Sequence, residues 1–274
     1  MSQMESPSAT LRRYGLRAKK SWGQCFLKEP SIVDKIVDAA NPTSEDTVVE
    51  IGAGLGGLTL ALAKRAGTVY AIERDRDLVT VLRQVLVGTS VQILEANALT
   101  FDFNTFAAPV KVIGNLPYNI SSPLLFRLLE QGRGIRDATI MLQREVAERL
   151  VAAPGTRRYG VPSVLCQQRA EVRLCFHVSR AAFHPEPAVD SAVVQLVMRS
   201  TPLVDVATEP FEALVRAAFS ARRKTLKNAL GQVYRPEAVQ AALEAAGLDG
   251  GRRGETLTLQ EFGLLATLME QTTE

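Results

Sequence analysis

Asn115, Leu116, Pro117 and Tyr118 follow directly on a short apolar run, residues 110–113, that closes in Gly114. Residues of these types at the end of a strand suit the recognition of a planar base. The asparagine side-chain oxygen accepts an N–H hydrogen bond from an exocyclic amine. Pro117 has a fixed φ and no N–H, which stiffens the turn. Tyr118 offers an aromatic face, and stacking a base on such a ring is worth roughly 1–3 kcal/mol. A proline-containing strand-to-helix loop around a buried tyrosine is the purely structural reading of the same four residues.

A second group lies upstream. The run Glu50-Ile-Gly-Ala-Gly-Leu-Gly-Gly57 follows an apolar strand pattern, 47–51. Gly52, Gly54 and Gly56 let the backbone turn tightly and approach a ligand at the start of the next helix. Glu73 ends the next apolar run, 21 residues after Gly52. A doubly wound fold places there the acid that grips ribose hydroxyls. Asn97 follows the third strand pattern, where an adenine edge would lie. Gly52, Gly54 and Gly57 also satisfy the G-x-G-x-x-G pattern of nicotinamide enzymes, so the loop alone leaves the cofactor open. Two features favour S-adenosylmethionine. Acidic Glu50 disfavours a pyrophosphate, and the base-binding tetrad stands on the substrate side. A hydride-transfer enzyme needs a His, Lys or Tyr acid/base near its substrate, whereas His177 and His184 both fall in the late segment.

The elements that must position these residues alternate. A helix with apolar Ile32, Val33, Ile36, Val37 and Ala40 on one face opens at Pro30. Strand patterns at 47–51, 68–72, 91–94, 110–113 and 138–142 are separated by helical stretches, one over 58–66 and one capped by Asp75. Repeated βα units predict a parallel sheet covered on both faces. Segments 171–178 and 192–198 have no obvious helix between them and predict a closing antiparallel pair at one sheet edge. Pro202 and Pro210 bracket a linker to a helical C-terminal part. An unbroken helix from 211 to 230 would put Arg222 on its apolar face. A break near Ser220 is therefore predicted, with Arg223, Lys224 and Lys227 exposed on a new helix.

The chain has 274 residues and a net charge of +3. Residues 11–28 hold six basic side chains (Arg12, Arg13, Arg17, Lys19, Lys20, Lys28) and no acidic ones, so the remainder sums to −3. The second cluster is Arg222, Arg223, Lys224 and Lys227. Focal positive charge on a near-neutral body, with Tyr14 and Trp22 among the basic residues, points to nucleic acid. A solvated charged surface is the plainer reading. No apolar run approaches the ~18 residues of a membrane span, and no apolar stretch follows the early basic residues as in a signal peptide. Cys25, Cys166 and Cys175 are scattered, which fits a reducing cytoplasm rather than a disulfide framework. Cys175, His177 and His184 lack metal-ligand spacing, and no metal is expected.

Read in order, the motifs are Lys20-Ser-Trp-Gly-Gln-Cys-Phe-Leu27, Glu50-Ile-Gly-Ala-Gly54, Gly114-Asn-Leu-Pro-Tyr-Asn-Ile-Ser-Ser122 and Met141-Leu-Gln-Arg-Glu-Val146. Tyr159-Gly160, Phe183-His-Pro-Glu-Pro-Ala-Val-Asp-Ser191 and Phe219-Ser-Ala-Arg-Arg-Lys-Thr-Leu-Lys-Asn-Ala-Leu230 follow. Over about residues 19–265 the chain resembles the ribosomal RNA adenine N6,N6-dimethyltransferases of the bacterial small-subunit type. The resemblance implies an α/β fold, a Rossmann-like S-adenosylmethionine-dependent methyltransferase domain with a small C-terminal helical domain. It implies dimethylation of two adjacent adenosines in a hairpin near the 3′ end of small-subunit rRNA, on the small ribosomal particle, by a cytoplasmic monomer. Cofactor contacts are implied at Gln24, Cys25, Leu27, Gly52, Gly54, Glu73, Asn97 and Asn115. Target-adenine contacts are implied at Asn115, Leu116, Tyr118 and Phe183, in the loop shaped by Pro117. The expected division is a flexible basic segment 1–18, the methyltransferase domain 19–200 and a helical RNA-binding domain 201–274.

Two positions depart from the family pattern. Cys25 replaces an Asn or His near the methionine end of the cofactor, and Asn97 replaces an Asp that accepts the adenine amine. They keep alive a non-catalytic ribosome-assembly factor on the same scaffold. A large-subunit rRNA methyltransferase, a DNA adenine methyltransferase and, more distantly, a nicotinamide oxidoreductase share parts of the same pattern.

Overall fold

The computed structural model of the protein describes residues 5–221 and 223–271. In chain order its first elements are α1 (Pro7–Arg13), β1 (Phe26–Leu27), α2 (Pro30–Ala40), β2 (Thr47–Ile51), α3 (Gly57–Leu62), β3 (Thr68–Glu73), α4 (Arg76–Val85) and β4 (Gln92–Glu95). They continue with β5 (Val110–Asn115), α5 (Ser121–Glu130), β6 (Ile135–Gln143), α6 (Arg144–Leu150), α7 (Val161–Arg169), β7 (Ala170–Val178), β8 (Phe183–His184) and β9 (Ser191–Met198). The last are α8 (Thr208–Ala218), α9 (Leu226–Leu230), α10 (Pro236–Ala245) and α11 (Leu259–Gln271).

Seven strands form one sheet in the order β4-β3-β2-β5-β6-β9-β7. The first five pair in parallel, and β9 runs antiparallel to β6. Val48, Val49, Val112 and Ile113 are wholly buried, as expected for parallel strands covered on both faces. In α2 the buried residues Val33, Ile36, Val37 and Ala40 fall at helical spacing and face the core. Burying each larger aliphatic side chain contributes roughly 1.5–3 kcal/mol, so a charge at Val37 would detach this helix. Asp75 caps α4 by accepting the Asp77 N–H at 3.1 Å. The chain runs outward from β2 through β3 to β4, then returns to place β5 on the other side of β2. That reversal creates a crevice at the carboxyl ends of β2 and β5. Ile51 lies beside both Ile72 and Gly114, and Glu73 beside Glu95, so these strands end along one edge.

Three expectations need correction. The expected flexible N-terminal segment contains α1, capped by the Ser6 side chain, with Leu11 buried against Phe26 and Leu78. Leu11 supplies the apolar anchor that a polar-looking segment hides. The division of the chain also differs. One compact unit comprises residues 1–147 and 172–198, and the other comprises 148–171 and 199–274. Within the second unit Gln168 clasps the Val204 backbone from both ends of its amide, and the Tyr159 and Phe219 rings lie 6.0 Å apart. These contacts draw α7 to the C-terminal helices. Thirdly, α8 stops at Ala218 and α9 begins at Leu226. The break is where it was expected, but Arg223 and Lys224 lie before the new helix, and only Lys227 lies on it. Arg222 lies outside the described residues.

Candidate active site

The first unit holds a cleft of about 1020 Å³ at the carboxyl ends of the parallel strands. Gln24, Cys25, Leu27, Gly52, Gly54, Glu73, Asn97 and the whole tetrad from Asn115 to Tyr118 line it. One expected site residue of this unit is not on its wall. Phe183 is 2% exposed, pairs with Leu27 across the short β1–β8 ladder, and packs in the core with α2 and β9 residues. Phe183 therefore stands behind the wall at Leu27, where the expectation placed it on the wall. An apolar ring gains more from the core than from a wet cleft, and here it backs the strand that carries Leu27.

The glycine loop is shaped for close approach. Gly54 has φ +58, and a Cβ there would meet the Phe26 ring at 3.1 Å. Its N–H donates to Glu73 Oε2 at 3.0 Å, while Glu73 Oε1 accepts the Arg74 and Asp75 N–H groups. Burial raises the Glu73 carboxyl above the usual range against those three bonds. Glu50 lies below the loop, 1% exposed, and burial pushes its carboxyl up to about 8. Glu50 Oε2 and the neighbouring Thr59 Oγ1 have no hydrogen-bond partner of normal geometry; the Thr59 hydroxyl opposes the upward shift and the Glu73 charge adds to it, and burial outweighs both. At neutral pH Glu50 is thus mostly uncharged. Asn97 turns its Oδ1 to the Leu99 N–H at 3.2 Å.

On the opposite wall Asn115 Nδ2 donates to the Cys25 carbonyl at 2.8 Å. Its Oδ1 and the Leu116 carbonyl accept no hydrogen bond among the described residues. Both are the acceptors that an exocyclic amine would require. The Leu116 side chain is buried and its N–H donates to the Met141 carbonyl, which anchors the loop to β6. Tyr118 shares a 2.5 Å hydrogen bond with Ser191. Burial raises the Tyr118 phenol against the effect of that bond, so it stays protonated. Burial also raises the Cys25 thiol.

Sequence reasoning missed Ser191 as the partner of Tyr118. Its place in the Asp190-Ser191 pair after a proline-rich turn was the available signal. The two basic clusters fare differently. Lys19 pairs with Asp75 and Asp77, and Arg13 with Glu5, which removes both from the free charge of residues 11–28. In the second unit Arg223, Lys224 and Lys227 are exposed. Among the described residues no group of three His, Cys, Asp or Glu side chains could hold a metal ion, and no helix is long and apolar enough to cross a membrane.

A switch-point crevice with a glycine loop on one wall and an Asn-Leu-Pro-Tyr loop on the other defines a Rossmann-like methyltransferase. The ribosomal RNA adenine dimethylase family model matches residues 15–270, and the chain belongs to that family. It is 48% identical to the ribosomal RNA small subunit methyltransferase A of Anaeromyxobacter sp. (strain K), over 95% of this chain and 96% of that one. The protein of that name from Myxococcus xanthus (strain DK1622) is 46% identical, over 96% of this chain and 94% of that one. Among solved structures, a dimethyladenosine transferase from Plasmodium falciparum superposes with a TM-score of 0.80 at 27% identity, over 90% of this chain and 98% of that one. The 23S rRNA methyltransferase ErmE superposes with a TM-score of 0.70 at 30% identity, over 90% of this chain and all of that one. Family membership decides against a nicotinamide oxidoreductase and a DNA-directed enzyme.

Proposed function

We propose that the protein is an rRNA adenine methyltransferase that dimethylates the N6 amines of adenosines in small-subunit (16S) rRNA, using S-adenosylmethionine as methyl donor. The observation that carries this reading is the pair of unused acceptors, Asn115 Oδ1 and the Leu116 carbonyl, on the cleft wall facing the glycine loop. Family membership and the small-subunit names of relatives above 45% identity support the substrate class. The two adenosines are adjacent in a hairpin near the 3′ end, and the protein works as a cytoplasmic monomer on the small ribosomal particle.

Gly52, Gly54, Glu73 and Asn97 would hold the nucleoside part of the cofactor, and Gln24, Cys25 and Leu27 its methionine end. The positive φ of Gly52 and Gly54 on the cleft wall and the buried acid at Glu73 fit such a ligand. When bound, it supplies an electrophilic methyl group on a sulfonium. The chain's own work is positioning and electrostatics. The amine of adenine is a poor nucleophile because its lone pair is delocalised into the ring. Asn115 Oδ1 and the Leu116 carbonyl draw its two hydrogens, which localises the lone pair and stabilises positive charge growing on nitrogen. Pro117 keeps the loop rigid, and Tyr118, held by Ser191, stacks on the base once it leaves its helix. Arg222, Arg223, Lys224 and Lys227 bind the RNA backbone.

The test is transfer of labelled methyl from S-adenosylmethionine to unmethylated small ribosomal subunits, followed by nucleoside analysis. Dimethyladenosine in the small-subunit RNA is the expected product. Label in large-subunit RNA instead would favour the activity named for ErmE, and no label with particle binding intact would favour an assembly factor.

A further inference from the structure

Segment 19–25, whose residues 21–25 line the cleft, is tied at one side to the turn that follows cleft-lining Glu73 and Arg74 and at the other to the Asn115 loop. At the turn between β3 and α4, Lys19 Nζ donates to Asp75 Oδ1 at 2.6 Å and to Asp77 Oδ2 at 2.7 Å, and Gln24 Nε2 donates to Asp75 Oδ2 at 2.7 Å. Gln24 Oε1 accepts the Lys19 N–H at 2.9 Å, which closes the segment on itself. On the base side, the Cys25 carbonyl accepts from Asn115, and the Ser21 carbonyl accepts from Asn119 Nδ2 at 3.4 Å. Gly23, at φ +67, presses against that loop, where a Cβ would stand 3.0 Å from Asn119 Oδ1 and 3.4 Å from the Tyr118 nitrogen.

Asp75 does more here than cap a helix. A cap needs one oxygen, and Oδ1 supplies it to the Asp77 N–H; serine serves equally well at such a position. Yet Asp75 is 3% exposed, and its second oxygen is given to Gln24. Burial opposes its ionisation, but Lys19, Gln24 and the Asp77 N–H together hold its carboxyl below the usual range. We infer that residues 19–25 form a strap across the cleft and that Asp75 anchors it, which makes Asp75 a positioning residue for the Asn115 amide. The chain of contact runs from Asp75 through Gln24 and the Cys25 carbonyl to Asn115 Nδ2. The inference rests on the methyltransferase reading for its effect on turnover, but not for the strap itself.

The decisive variant is Asp75→Ser, which keeps the cap and loses the strap; Asp75→Asn is its conservative counterpart. Trp22, the chain's one tryptophan, sits in the strap with Lys19 Nζ and the Arg74 guanidinium 5.2 and 4.9 Å from its ring centre. Its fluorescence therefore reports the strap directly. Asp75→Ser shifts Trp22 emission to the red and raises its quenching by acrylamide, with the thermal midpoint unchanged. Turnover on small subunits falls by about tenfold in Asp75→Ser and by less than about threefold in Asp75→Asn, and Asp75→Ser adds no further loss in an Asn115→Ala background. Unchanged Trp22 quenching overturns the strap. An equal loss with and without Asn115 overturns the positioning role. A wild-type protein inactive on small subunits sinks the functional reading alone, and the quenching measurement still decides the strap.

Discussion

Asn115 Nδ2 donates to the Cys25 carbonyl at 2.8 Å, so the amide of Asn115 is held in one orientation with its oxygen free on the cleft side. The bond uses the backbone of Cys25 rather than its thiol. The departure from the family pattern at this position therefore leaves the orienting contact intact. Because a preset acceptor acts most on charge that develops in the transition state, Asn115→Ala should lower turnover by about 10²-fold or more. Single-turnover methyl transfer on small subunits measures this, and unchanged turnover would refute the assigned role.

The strands of the seven-stranded sheet, their order along the chain and the tetrad's place at the end of β5 were legible in the sequence because each depends on local pattern, whereas the two-residue strands β1 and β8 were not. Alternating apolar runs make strands wherever a sheet can bury them, and glycines at 52, 54 and 56 tolerate positive φ in any such loop. Residues whose roles depend on distant partners were not legible. Phe183 is apolar and follows a strand, and nothing in its neighbourhood says whether a core or a cleft receives it; its pairing with Leu27 decides that. Residues 148–171 carry helical pattern but no mark of which unit they join, and the clasp of Gln168 on Val204 settles it. Lys19 counted as free charge until Asp75 and Asp77 were found beside it. Charge read from a sequence overstates what a surface offers when acids from another segment fold against it.

Asn97 supplies one oxygen, already turned to the Leu99 N–H. An aspartate would give one oxygen to that N–H and a second, charged one to the adenine amine of the cofactor. Charge-assisted hydrogen bonds are roughly twice as strong as neutral ones. Asn97→Asp should therefore tighten cofactor binding by about threefold to tenfold. Calorimetric titration with S-adenosylhomocysteine tests it; equal affinities would mean that residue 97 does not meet the adenine.

Arg223, Lys224 and Lys227 are exposed and have no acidic partner among the described residues. If they neutralise phosphates, replacing all three by alanine reduces the slope of log affinity against log salt by about two to three units, since each contact contributes roughly 0.7–0.9. Cofactor affinity should stay the same. Filter binding of small-subunit RNA over a salt series gives the slope. A parallel curve, merely displaced, would assign the three residues to the protein's own stability.

Glu50 makes stability depend on pH in a direction opposite to that of a salt-bridged acid. Its folded value of about 8 stands above the unfolded carboxylate value. Below about pH 4 both states bind the proton, and the group's contribution is fully present. As pH rises from there toward 8, the unfolded chain has lost the proton and the folded one still holds it. Folding then costs up to about 1.4 kcal/mol more per pH unit. Above about 8 the folded state must ionise Glu50 in a site where Oε2 has no partner. Glu50→Gln keeps the shape and removes the titration. The stability of the wild type relative to Glu50→Gln, from urea unfolding at pH 5, 6, 7 and 8, should therefore decline steadily across the series. A constant difference would mean that Glu50 titrates alike in the folded and unfolded chain.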